Sequence, residues 1–237
     1  MHRLAKAKSR MAAIGNLVFS GYSHAGAASW QLIADGSLPG AAIEVTDEKG
    51  LVTVGDRRAE CGLAFYPGGF VEPEAYVPLA AKLAQRGVFC AIVKEPLSMA
   101  VFNVKAADPV IVHYPGIDRW WVGGHSLGGA VAGIWAADNA SKVEGVALLA
   151  AYSTKDLSAF GNNIALVYGT NDGVVSHDSL SAFEEKLDPS CVHVLAGGNH
   201  AGFGDYGERT KNDVATIVAN EQQELAAEAI ASAMFGR

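Results

Sequence analysis

Three residues in the second half of the chain have the types and the order that nucleophilic catalysis needs: Ser126, Asp172 and His200. A serine hydroxyl is a weak nucleophile until a neighbouring base takes its proton, and an imidazole serves as that base when a carboxylate fixes its tautomer. Ser126 is the centre of Gly124-His125-Ser126-Leu127-Gly128. A bare G-x-S-x-G match is weak in a chain with 27 glycines, where a serine in a glycine-rich turn is the bland alternative. The flanks give the match its meaning. Trp120-Trp121-Val122 is strand-like, and Leu127–Ala137 is a run of small residues that reads as a helix. Such a strand–turn–helix pushes the hydroxyl out at the carboxyl edge of a sheet, and side chains at Gly124 or Gly128 would collide with adjacent backbone.

Asp172 follows the apolar run Ile164–Tyr168, within Tyr168-Gly169-Thr170-Asn171-Asp172-Gly173. His200 follows Val192–Leu195, within Gly197-Gly198-Asn199-His200-Ala201-Gly202. Taken singly, Asp172 is as readily a turn carboxylate and His200 a loop histidine. Together they leave the carboxyl ends of two strands and reach the same edge as Ser126, in the order Ser, Asp, His. His125 is the variable residue of the turn and is assigned a structural role. His113, His177 and His193 show no partner pattern, and Glu72 and Asp205 read as solvated loop carboxylates with substrate contact as the sharper alternative.

The elements that must position these residues alternate along the chain. Ala41–Val45 and Leu51–Val54 flank a turn-rich piece and read as a hairpin; Cys61–Tyr66 is a buried strand running into Pro67-Gly68-Gly69. Ala75–Gln85 is helical, Val88–Val93 a strand, Met99–Ala107 a helix and Gly145–Ala150 a strand. Ser179–Leu187 and Thr216–Met234 are the last helices. Strands apolar throughout belong in a parallel sheet covered on both faces, so the fold class is α/β: a doubly wound, mostly parallel sheet with right-handed crossovers.

The bulk properties agree with one such domain. The chain has 237 residues, half of them hydrophobic and 18% charged. A net charge of −7 without a basic stripe excludes a nucleic-acid face. Cys61, Cys90 and Cys191 lie in apolar runs and read as buried free thiols. No metal-ligand spacing is present, and no metal or cofactor is assigned. The N-terminus is ambiguous. Arg3, Lys6, Lys8 and Arg10 precede the apolar run Met11–Phe19, no acidic residue occurs before Asp35, and Ala25-Gly26-Ala27 are small. This is the outline of a signal or transit peptide, but Gly15 and Asn16 interrupt a run too short to span a bilayer. Residues 1–36 are therefore read as an N-terminal extension, a signal, transit or lid segment, before a domain at 37–237. The favoured location is cytoplasmic, with secretion or organellar import as alternatives. No stable membrane span is expected, and the oligomeric state is left open.

From about Ala41 onward the sequence resembles the α/β-hydrolase superfamily, nearest its small serine-hydrolase branch with a Tyr-Pro-Gly-Gly loop, which includes dienelactone-hydrolase-like members. The residues that carry the resemblance are Phe65-Tyr66-Pro67-Gly68-Gly69-Phe70, Gly123–Gly129, Tyr168–Gly173 and Gly198–Gly207. The resemblance implies an oxyanion hole formed by the backbone N–H of Leu127 and of Gly69, with Phe70 as an alternative donor. Pro67 stands where relatives carry a histidine, so this loop must be held in another way. It also implies a site without a cap domain, because only Ser153–Asn163 joins two strands where many relatives insert one. Phe70, Tyr152 and Phe203, with Tyr76 and Tyr206, are candidates to line the pocket. The expected activity is hydrolysis of a small ester or thioester. A lactone or carbon–carbon bond hydrolase with the same triad, and a non-catalytic ligand-binding protein of the same fold, are the alternatives.

Overall fold

The computed structural model describes residues 22–38, 43–48, 50–207 and 210–236. Residues 1–21, including the basic run and the apolar run Met11–Phe19, lie outside them. Among the described residues eight strands form one sheet in the order β1-β2-β4-β3-β5-β6-β7-β8. They are β1 (Glu44–Glu48), β2 (Leu51–Gly55), β3 (Cys61–Tyr66), β4 (Val88–Val93), β5 (Arg119–His125), β6 (Gly145–Leu149), β7 (Ile164–Gly169) and β8 (Val192–Leu195). β1 and β2 form the expected hairpin and β2 runs antiparallel to β4; the other neighbours are parallel. β3, β4, β5 and β6 are buried almost throughout, as parallel strands covered on both faces must be.

Among the described residues six helices cover the sheet: α1 (Ala27–Asp35), α2 (Val77–Ala84), α3 (Ala107–His113), α4 (Leu127–Asp138), α5 (His177–Glu184) and α6 (Ala219–Phe235). Alternation along each strand splits the core into two layers. Leu63, Cys90, Trp121 and Val167 pack with α2 and α6, whereas Ala64, Phe89, Trp120 and Leu166 pack with α3 and α4. Trp120 and Trp121, adjacent in sequence, therefore anchor opposite layers. Cys61, Cys90 and Cys191 are buried free thiols.

Two differences from the expected elements concern the site. The expected helix Met99–Ala107 is absent. One short 3-10 turn, Pro96–Ser98, precedes it, another, Ala100–Phe102, occupies its start, and helix α3 begins only at Ala107, with Pro109 tolerated in its first turn. Met99 (φ −135°, ψ 104°) and Asn103 (φ −147°, ψ 59°) are both non-helical, which breaks a continuous helix there. Second, the described part of the N-terminal segment packs onto the domain. Ser23 bridges Val71, Ser37 bridges Glu44, and helix α1 packs on α2. Among the described residues no helix is long and apolar enough to cross a membrane.

Glu95 ends the β4 connection and is only 7% exposed, and neither carboxyl oxygen has a hydrogen-bond partner among the described residues. Burial pushes its pKa up to about 8. The folded state thus holds this proton more tightly than the unfolded chain, so Glu95 favours folding most in acid, and that advantage is lost as pH rises through the ordinary carboxylate range to about 8. At one pKa unit per 1.36 kcal/mol, the cost at pH 7 is roughly 3 kcal/mol. Glu95→Gln should remove this cost. In urea unfolding from pH 5 to pH 8 the variant should gain steadily on the wild type, and parallel pH profiles for the two proteins would refute the prediction.

Candidate active site

Ser126 stands between β5 and α4 with φ 52° and ψ −123°, a strained conformation for a residue that carries a side chain. Its N–H donates to the Leu149 carbonyl at 2.9 Å, and its own carbonyl accepts from Ala130 at 3.0 Å. Three backbone segments converge here. A Cβ on Gly124 would lie 2.6 Å from the Tyr66 carbonyl oxygen, and one on Gly128 would overlap the carbonyl oxygens of Tyr66 and Pro67. Glycine at both positions lets the turn fit against the end of β3. Ser126 is partly exposed, whereas His200 and Asp172 are each 3% exposed.

His200 Nδ1 and Asp172 Oδ2 are 2.8 Å apart. An ionised carboxylate only accepts, so Nδ1 carries the hydrogen and the neutral ring presents its lone pair at Nε2. Asp172 Oδ1 accepts from the amides of Val174 and Val175, at 2.8 and 2.9 Å. Burial pushes the Asp172 carboxyl up, but the His200 hydrogen bond and charge, together with those two amides, outweigh it and hold the group below its ordinary range. Asp172 therefore stays ionised beside the imidazole. His200 Nε2 makes no hydrogen bond to any described residue, the Ser126 hydroxyl included. The His200 ring is brought to the turn by His125, which precedes the serine: the two ring centroids are 4.6 Å apart.

Gly69 and Leu127 are also brought together, since a Cβ on Gly69 would lie 3.1 Å from Leu127 Cδ2. Leu127 opens α4, where the first N–H groups have no partner within the helix. The Phe70 amide donates to the Ser98 carbonyl at 2.8 Å, which removes it as the alternative oxyanion donor. The loop is held without the missing histidine by Tyr76. Its hydroxyl accepts from the Gly68 amide at 3.0 Å and pairs with His125 Nδ1 at 2.8 Å, so one buried phenol joins the loop to the serine turn.

The matched region extends well beyond these loops. Residues 62–224, more than half of the chain, match the model of the Alpha/beta hydrolase family. The chain belongs to that family. Its fold is likewise similar to solved structures of low identity. Est1E from Butyrivibrio proteoclasticus with ferulic acid bound is 12% identical, with a TM-score of 0.56 over 82% of this chain and 95% of that one. TT1662 from Thermus thermophilus is 14% identical, with a TM-score of 0.53 over 68% of this chain and 92% of that one. No curated protein matches the sequence.

The expected walls of this α/β-hydrolase need correction. Phe203 is fully buried and packs behind the site, its ring 5.7 Å from that of His125, so it has no surface to offer a substrate. Tyr76 is likewise internal, and Tyr206 packs beside it at 6.3 Å. Phe70 and Tyr152 remain partly exposed. Nor do Glu72 and Asp205 act as solvated carboxylates. Glu72 binds the Ala25 amide and His24, both at 2.7 Å, and Asp205 Oδ2 accepts from Ser29 N and Oγ at the start of α1. They clamp the segment from Tyr22 through α1 beside the Pro67–Gly69 loop. His177, the first residue of α5, bonds the Asp172 carbonyl at 2.7 Å.

Sequence reasoning missed the groups that hold the His200 loop. Gln222, in the first turn of α6, accepts from the Asn199 amide at 3.0 Å and donates to its carbonyl at 2.7 Å. Asn199 in turn donates to the Asp213 carbonyl and accepts from the Gly202 amide, both at 2.8 Å. The sequence signal for them was slight: polar residues beside apolar ones near the His200 loop.

Proposed function

We propose that the protein is a serine hydrolase cleaving a small ester or thioester through an acyl-serine intermediate. The observation that carries this reading is a strained serine at the strand-to-helix turn, with an imidazole already bound through Nδ1 to a buried carboxylate 2.8 Å away. In this scheme Ser126 Oγ attacks the acyl carbon while His200 Nε2 takes its proton. The Nδ1 hydrogen stays on the ring, and Asp172 stabilises the imidazolium. The tetrahedral oxyanion is received by the amides of Leu127 and Gly69, each such donor contributing about 3 kcal/mol in the transition state. Collapse expels the alcohol or thiol, which takes the proton from Nε2. Water then attacks the acyl-serine by the same route, and the acid leaves.

The connection from β6 to β7 holds a single 3-10 turn, Ser158–Phe160, and no cap. A longer acyl chain gains about 0.8 kcal/mol per methylene only where a groove continues to bury it. The expected kcat/KM for p-nitrophenyl esters is therefore flat or falling beyond medium chains, and a steady rise to long chains would overturn the open-site reading. A fluorophosphonate probe should leave one adduct, which peptide mapping assigns to Ser126. Absence of that adduct from the folded protein would overturn the serine-hydrolase reading itself.

A further inference from the structure

Asp213 is 0% exposed and lies outside every segment that the chemistry names. Its Oδ1 accepts from the amides of His200 (2.7 Å) and Gly173 (3.1 Å), and its Oδ2 from the amide of Ala201 (3.0 Å). Gly173 is the residue after Asp172. One buried carboxylate thus ties the backbone of the acid loop to the backbone of the base loop, which leave different strands, β7 and β8. A buried carboxylate is expensive unless its lone pairs are filled, and three amides from these two loops fill them.

We propose that Asp213 is a positioning residue that sets the His200–Asp172 hydrogen bond by locking the two loops that carry it. The inference rests on the triad reading but acts through backbone, not through the imidazole. Both carboxylate oxygens accept, so an amide at this position must turn its NH2 toward Ala201 or toward the Gly173 and His200 pair. In either orientation a donor faces a donor: with the NH2 toward Gly173 and His200 the two loops lose their common acceptor, and with it toward Ala201 the base loop loses one of its two amide contacts.

The test is Asp213→Asn, with Asp213→Ser, which keeps one acceptor oxygen, read in the same way should the first variant not fold. A misplacement of about 1 Å can cost on the order of 100-fold in rate from a residue outside the chemistry. The expected result is a kcat on a short p-nitrophenyl ester reduced about 10- to 100-fold, with KM little changed. The far-downfield proton resonance of the His200–Asp172 hydrogen bond should also be lost or moved. A lowered melting temperature with unchanged kcat and an unmoved resonance would make Asp213 a structural residue only and overturn the proposal. The resonance needs no turnover, so it still decides the role of Asp213 if no ester proves to be a substrate.

Discussion

Ser126→Ala and His200→Ala should each reduce kcat on short p-nitrophenyl esters by at least about 10⁴-fold while leaving the melting temperature within a few degrees of wild type. The magnitude follows from the scheme. Without Oγ there is no covalent intermediate, and without Nε2 nothing takes the hydroxyl proton, so only binding and the oxyanion amides remain to assist attack by water. The double variant should be no slower than either single one, because the two side chains act as a unit. Ser126 carries its side chain at φ 52°, and alanine has the same steric limits there, so a large stability change is not expected. Near-wild-type turnover by either purified variant would remove that residue from the mechanism.

Gly128→Ala should be among the most damaging single methyl additions in the site. The added Cβ would overlap the carbonyl oxygens of both Tyr66 and Pro67. These are backbone atoms at the end of a buried strand and cannot swing aside as a flexible side chain would. Relief requires α4 to move away from the Pro67–Gly69 loop, which separates the Leu127 amide from Gly69 and tilts Ser126. The expected cost is about 3 kcal/mol or more of stability, in the range of overpacked cores. The expected fall in kcat is at least about 100-fold, as for loss of an oxyanion donor. Gly116→Ala is the control: its Cβ would meet nothing closer than the Arg57 carbonyl oxygen at 3.8 Å, and both quantities should stay close to wild type. Equal behaviour of the two variants in urea unfolding and ester assays would show that the close approach at the turn is not the constraint argued above.

The local patterns of the chain determined its architecture and the chemistry it presents. Runs such as Val88–Val93 and Ile164–Tyr168 are apolar at every position, which only a strand buried on both faces satisfies. Asp172 follows such a run, and Ser126 and His200 follow the strand-like Trp120–Val122 and Val192–Leu195, so the parallel sheet brings all three to one edge. Tertiary structure decided the rest, since it depends on contacts between distant positions occupied by ordinary residues. Asp213 is an aspartate in a polar stretch, and only folding turns its carboxylate into the acceptor for amides at 173, 200 and 201. Tyr76 and Phe203 looked like pocket walls, but both side chains face inward, one to bind Gly68 and His125 and the other to pack on His125. The expected helix at Met99–Ala107 failed for a related reason. Apolar spacing there favours a helix, but Met99 and Asn103 are held in non-helical conformations, and just before them the Ser98 carbonyl takes the Phe70 amide. A hydrogen bond across 28 positions of chain has no local period and cannot be read from one.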